Sequence, residues 1–210
     1  MVFWVQNFLK PYFFFQMVAA DCEIHEPKEH HPSSILSQFW DLASFDVEKR
    51  SKATEKLLAV VQETLDSEIE IKTKTDIEKY PEDVRYALKR LLKGLSSSRD
   101  AARQGFAVAL AELLNVLLVP VSVVLELLHE YAKNNGTKTG QEEREWIFAR
   151  LFGYQAIAHS GSLSRHCTNV DDIVVMVDAI VEFGKTKDYL RQACASVLIS
   201  LLQEVFIVLI

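Results

Sequence analysis

The sequence predicts an all-α fold: a solenoid of about eight helices stacked in pairs. Three observations predict it. Only seven Gly and five Pro occur in 210 residues, leaving long stretches free of helix breakers, whereas an all-β chain would show turn signals every 8–12 residues or so. From Ser34 onward the apolar residues recur with helical period. One stretch of sequence also returns further along the chain, at a distance that suits an array of helical hairpins.

Taken in order, residues 1–33 stand apart as an apolar and then polar tail, and residues 34–207 form the helical-repeat domain. Residues 1–20 are rich in aromatics (Phe3, Trp4, Phe8, Tyr12, Phe13, Phe14, Phe15), with Val18 and Ala20 as the small residues a signal peptidase would require. Against a signal peptide, the run has no basic residue at its start. Asn7, Lys10 and Pro11 interrupt it, and what remains is too short to span a bilayer.

The segment from Pro81 places Val84, Leu88, Leu91, Leu92 and Leu95 on one helical face. The next places Phe106, Leu110, Leu113, Leu114 and Leu117 likewise, after Ser97 and Asp100 spaced as a capping box. Two antiparallel helices joined by Ser96, Ser97 and Ser98 follow. Pro120 suits the first turn of a helix running from Val121 to Lys133, with Gly136 as its stop. Further helices are expected over 141–159, 170–183 and 188–207. Asp66–Lys79 and Gly161–Thr168 read as loops, with Ile69 and Ile71 leaving room for a short extended piece. The chain stops on the apolar run Phe206 to Ile210, where a terminal repeat would need a polar cap; the sequence therefore reads as a piece of a longer solenoid, or one with altered ends.

Charge and cysteine content narrow the function. The net charge is -6 and the pI about 5.6, so no overall basic field marks an autonomous nucleic-acid binder, and any nucleic-acid contact has to be indirect or local. Cys22, Cys167 and Cys194 are far apart, odd in number and without a Cys-x-x-Cys, which suits a reducing compartment better than a disulfide framework.

The repeat is the informative feature. Asp100-Ala101-Ala102-Arg103-Gln104-Gly105-Phe106-Ala107 matches Asp188-Tyr189-Leu190-Arg191-Gln192-Ala193-Cys194-Ala195, and both continue into Leu-x-x-Leu-Leu. Arg103 and Arg191 lie 88 residues apart, two periods inside the roughly 40–47 residue range of HEAT and armadillo units. Arg50, Arg103, Arg144 and Arg191 are each followed seven residues later by a leucine: Leu57, Leu110, Leu151 and Leu198. Such a helix buries its leucine face against its hairpin partner and the next repeat, and a polar residue near its start can bond neighbouring turns.

Phe39-Trp40-Asp41-Leu42-Ala43-Ser44, Arg50-Ser51-Lys52-Ala53, and Tyr86 through Arg99 with Ala101-Ala102-Arg103-Gln104-Gly105-Phe106 together resemble the Myb-binding protein 1A family, also called DNA polymerase phi. The resemblance runs from Ile35 to Gln203 and is most specific over Tyr86–Leu114. Residues 1–33 and the last few residues do not share it. It implies the N-terminal part of a longer nucleolar helical-repeat protein, acting in ribosomal RNA transcription and ribosome biogenesis as a transcription co-regulator. Its implied partners are proteins of the nucleolus and of the transcription machinery, with no membrane. The family's basic C-terminal tail, which would carry nuclear and nucleolar targeting, does not occur here.

Repeat architecture alone also suits a nuclear transport adaptor, which a Ran-type GTPase partner would reveal. The polymerase name, by contrast, asks for carboxylates holding two metal ions. Only the adjacent pair Asp171-Asp172 stands in a plausible place, and its position before a helical run marks it as capping. His25, His30, His31 and Cys22, or His159, His166 and Cys167, match no closed zinc spacing. Gly184-Lys185-Thr186 lacks the first glycine of a phosphate loop, Ala179 standing there, and reads as a helix-terminal glycine and turn. No catalytic residue, cofactor or metal is therefore expected. Lys89, Arg90, Lys93, Arg99 and Arg103 gather about the turn between two helices as the candidate partner or anion contact, without exposed aromatics evident beside them.

Overall fold

The computed structural model describes residues 33–65, 69–131, 140–165 and 169–209. These form nine α-helices: α1 Ser33–Leu42, α2 Val47–Thr64, α3 Glu82–Gly94, α4 Asp100–Leu117, α5 Val121–Tyr131, α6 Gly140–His159, the single turn α7 Ser162–Arg165, α8 Val170–Thr186 and α9 Arg191–Leu209. Short 3-10 turns precede α3 (Lys74–Lys79) and α9 (Asp188–Leu190), and no strand occurs among the described residues.

The helices pack as hairpins, α1 with α2, α3 with α4, α5 with α6 and α8 with α9. The second helices of the hairpins also pack in series, α2 on α4, α4 on α6 and α6 on α9, and so do the first helices α3, α5 and α8. This is an all-helical arrangement compatible with a helical-repeat solenoid, because each helix carries more apolar surface than one neighbour can cover. Leu42, Leu57, Leu88, Leu91, Leu95, Leu110 and Leu113, with Phe152 and Tyr154, form its core and are almost wholly buried. Each full burial of such a side chain contributes about 1.5–3 kcal/mol.

Local chemistry sets the helix ends. The Asp46 carboxylate accepts the Glu48 and Lys49 amides at 2.9 and 3.4 Å and starts α2. Asp76 accepts the amides of Lys72 and Thr73 at 3.0 and 2.8 Å and pairs with Lys79 at 2.7 Å. The end of the stretch expected as a loop is thus tied into a 3-10 turn that buries Ile77, with Ile71 buried just before it and no strand among the described residues. Tyr80 then donates its hydroxyl to the Leu117 carbonyl at 2.6 Å.

Three boundary expectations change. No capping box forms at α4: Asp100 pairs with Arg103, and the Ser97 hydroxyl accepts the Arg99 amide at 3.3 Å. Pro120 stands at the N-cap of α5 rather than at its first helical position, its carbonyl accepting the Val124 amide at 3.1 Å and closing the first turn. Gly184 lies inside the last turn of α8 rather than at its stop, because α8 continues to Thr186. Within the stretch read as a second loop, Ser162–Arg165 makes a helical turn after Gly161 at φ 67°. Gly136 and the signal-peptide residues lie outside the described residues.

Close approach rather than turn geometry explains two other glycines. A Cβ on Gly105 would lie 2.0 Å from the Leu42 carbonyl oxygen, and one on Gly94 2.5 Å from the Phe106 ring. The first contact sets α4 against the end of α1; the second seats α4 on α3.

Candidate partner-binding surface

The α3–α4 turn is built from its backbone outward. The Ser96 and Ser97 amides bond back to Lys93 and Gly94 at 3.4 and 3.1 Å, and the Ser96 hydroxyl donates to the Lys93 carbonyl at 2.8 Å. Arg103, the first-turn residue of α4, donates to the Ser97 carbonyl and to the Asp100 carboxylate. Its guanidinium lies 4.4 Å from the Phe148 ring centroid of α6, and the residue is only 4% exposed. Burial, with Arg144 close by, pushes its pKa down. Arg103 therefore braces the turn from inside, and its charge is not presented to a partner.

The other four predicted cations stay at the surface. Lys89 and Lys93 place their ammonium groups 5.8 and 5.7 Å from the Tyr131 ring. Arg99 donates to the Ala43 carbonyl at 3.0 Å and lies 5.2 Å from the Phe45 ring. Arg90 is exposed on the same face of α3 as Tyr86, one turn along.

Exposed aromatics do occur beside these cations, contrary to the sequence expectation. Phe45 is 80% exposed in the α1–α2 turn against Arg99, and Tyr86, on the face of Arg90, meets Phe39 edge-on at 5.8 Å. Phe45 is 54 residues from Arg99 along the chain. Only the stacking of one hairpin turn on the next brings them together, so no local pattern could have revealed it. Arg50 holds that turn, donating to the Ser44 and Phe45 carbonyls at 2.9 and 3.1 Å and to Gln104 at 3.4 Å.

Asp171 and Asp172 sit in the first turn of α8, where Asn169 caps the helix by accepting the Asp171 amide at 3.2 Å. Burial and then the Asp171 charge push the Asp172 carboxyl up. Among the described residues no group of three His, Cys, Asp or Glu side chains is placed to hold a metal ion. His159 faces the Gln155 amide, and burial pushes its pKa down. His25, His30, His31, Cys22, His166 and Cys167 lie outside the described residues. No helix among the described residues is long and apolar enough to cross a membrane.

The family model described as DNA polymerase phi matches residues 86–206. The chain is 38% identical over 125 residues to the rDNA transcriptional regulator pol5 of Schizosaccharomyces pombe, covering 59% of this chain and 13% of that one. It is 32% identical over 189 residues to Myb-binding protein 1A of Mus musculus, covering 89% of this chain and 13% of the other. A third relative, the rDNA transcriptional regulator POL5 of Saccharomyces cerevisiae, is 27% identical over 136 residues. The chain thus spans about an eighth of the length of the relatives it matches. No solved structure matches. The relatives are named as regulators and as a binding protein, not as polymerases, and the match covers both the α3–α4 surface and the α8–α9 hairpin. The chain belongs to the DNA polymerase phi family.

Proposed function

We propose that this chain is a non-enzymatic helical-repeat scaffold of the HEAT/armadillo kind. It serves regulation of ribosomal DNA transcription and ribosome biogenesis in the nucleolus, and its contact surface is the edge carrying Lys89, Arg90, Lys93 and Arg99. The observation that carries the reading is the match to proteins named as rDNA transcriptional regulators and Myb-binding protein 1A. The structure supports the binding part of it by holding Lys89, Lys93 and Arg99 at the surface against aromatic rings. One fold hosts many functions, so the edge residues carry the binding argument.

On that edge Lys89, Lys93 and Arg99 stand on aromatic rings, which pre-orders long side chains and lowers the entropy lost when a partner binds. The aromatic rings of Phe45 and Tyr86 add the amphipathic area that protein interfaces favour. The partner class is therefore a protein or ribonucleoprotein carrying acidic groups near apolar ones.

Affinity capture of the full chain from nuclear extract, with and without nuclease, tests the reading. Nuclease-resistant recovery of ribosomal DNA transcription and ribosome-assembly proteins, lost when Arg90→Glu and Arg99→Glu are combined, is the expected result. Recovery of a Ran-type GTPase would instead indicate transport, and recovery unchanged by the double variant would remove this edge from the account.

A further inference from the structure

We infer that the outer face of the α8–α9 hairpin is a docking surface for a further helical hairpin of the same register, aligned through Arg191. The inference rests on comparing the same positions of successive hairpins. Counted from the leading arginine, residues at +4, +7 and +11 lie on one stripe of each second helix. In α2 these are Thr54, Leu57 and Val61, and in α4 Ala107, Leu110 and Leu114; none is more than 6% exposed.

Contacts show where that stripe points. Arg50 of α2 reaches Gln104 of α4 at 3.4 Å, and Arg103 of α4 reaches Phe148 of α6 at 4.4 Å. Arg144 of α6 lies 5.4 Å from the ring of Tyr189, just ahead of α9, and Gln155, at +11 in α6, donates to Ser200 of α9 at 3.2 Å. Arg50, Arg103 and Arg144 thus each lie against the N-terminal half of the next second helix or the turn just ahead of it, on a side-chain amide or an aromatic ring.

In α9 the same stripe opens to solvent. Ala195 is exposed, Leu198 half-buried and Leu202 50% exposed, with Ile199 beside them at 56%. Arg191 repeats the Asp-x-x-Arg pair of Asp100 and Arg103, bonding Asp188 at 2.7 Å, and is exposed, as Arg144 is. On α8, Val170 and Val174 are exposed one turn apart. A pair of helices with arginine placed to meet a ring, above a stripe that is buried in α2 and in α4, continues an established interface. The occupant that fits is another hairpin with an apolar face, whose second helix begins with an aromatic or amide side chain.

The chain can supply that occupant itself. A copy of residues 169–209 is appended after residue 210 of the full chain, so that the copied tyrosine corresponding to Tyr189 can receive Arg191. The expected result is one melting transition at a higher temperature than the parent, with slowed amide exchange in the original α9. Ile199→Asp and Leu202→Asp together, placed at exposed positions of the original chain, should leave the parent's melting unchanged and abolish the gain. Arg191→Ala should reduce the gain without abolishing it.

An appended hairpin that stays unprotected while the parent melts as before would overturn the inference. So would a parent chain that forms dimers in sedimentation experiments and loses them on Ile199→Asp, since the face would then belong to a second copy.

Discussion

The α5–α6 and α8–α9 hairpins have the same architecture and different surroundings. In α5, Val121, Val123, Val124, Leu125, Leu127 and Leu128 are all buried, and α6 buries nearly every residue from Leu151 to Ala158. In α8 only Met176, Ile180 and Phe183 are buried, and Ile199 and Leu202 of α9 are half open. Composition does not explain the difference, because α9 is as apolar as its counterparts. Position in the array does: a hairpin with a neighbour on each side buries two faces, and one with a single neighbour buries one. Stability in such an array is a sum of repeat and interface contributions, so it should differ along the chain.

The largest test of that difference is truncation at the shared register. Leu151→Ala, at a position with no exposure, should cost about 2–5 kcal/mol, and Leu198→Ala clearly less, on the order of 1 kcal/mol, both read from denaturant unfolding. Equal losses would break the comparison. A second test uses backbone approach. Gly105→Ala drives a methyl into the Leu42 carbonyl and should cost about 1–3 kcal/mol, whereas Gly184→Ala meets Cys194 at an ordinary 3.5 Å and should gain up to about 1 kcal/mol of helix propensity.

The arginines give a third contrast. Arg103→Ala removes a buried guanidinium stacked on Phe148 and should cost on the order of 2 kcal/mol. Arg191→Ala, at an exposed pair, should stay within about 0.5 kcal/mol in the chain alone.

The smallest effect is one of pH. Burial holds the folded pKa of His159 below its ordinary 6.5, and its neutral ring faces the Gln155 amide. A group depressed in this way binds fewer protons folded than unfolded. Its contribution is complete above pH 6.5 or so and declines as pH falls through the folded pKa. Glu112 and Glu204, whose carboxyls burial pushes up, act in the opposite sense as pH rises from the carboxylate range. The His159 contribution is therefore read as the difference between wild type and His159→Asn, and that difference should shrink below pH 6.

The helices were largely legible because their apolar spacing is strong: Val84, Leu88, Leu91, Leu92 and Leu95 are buried on the face the period assigned to them. The arginine register was legible too, since it marks the second helix of each hairpin. What each arginine does was not, because Gln104, Phe148 and Tyr189 reach their partners from the next hairpin. The same long-range folding placed Phe45 on Arg99 and took Arg103 out of the surface patch. The 3-10 turn at Lys74–Lys79 was read as loop because its order comes from one carboxylate, Asp76, and from the burial of Ile71 and Ile77, not from periodic apolar residues.

Native-state hydrogen exchange on the intact chain tests the central claim, that these hairpins form a register-repeating array whose α8–α9 hairpin is less buried than the interior ones, most directly. The account predicts that amides of α4 and α6 exchange only with global unfolding, and that those of α8 and α9 open at lower free energy. Equal protection across α6 and α9, or the strongest protection in α9, would contradict it.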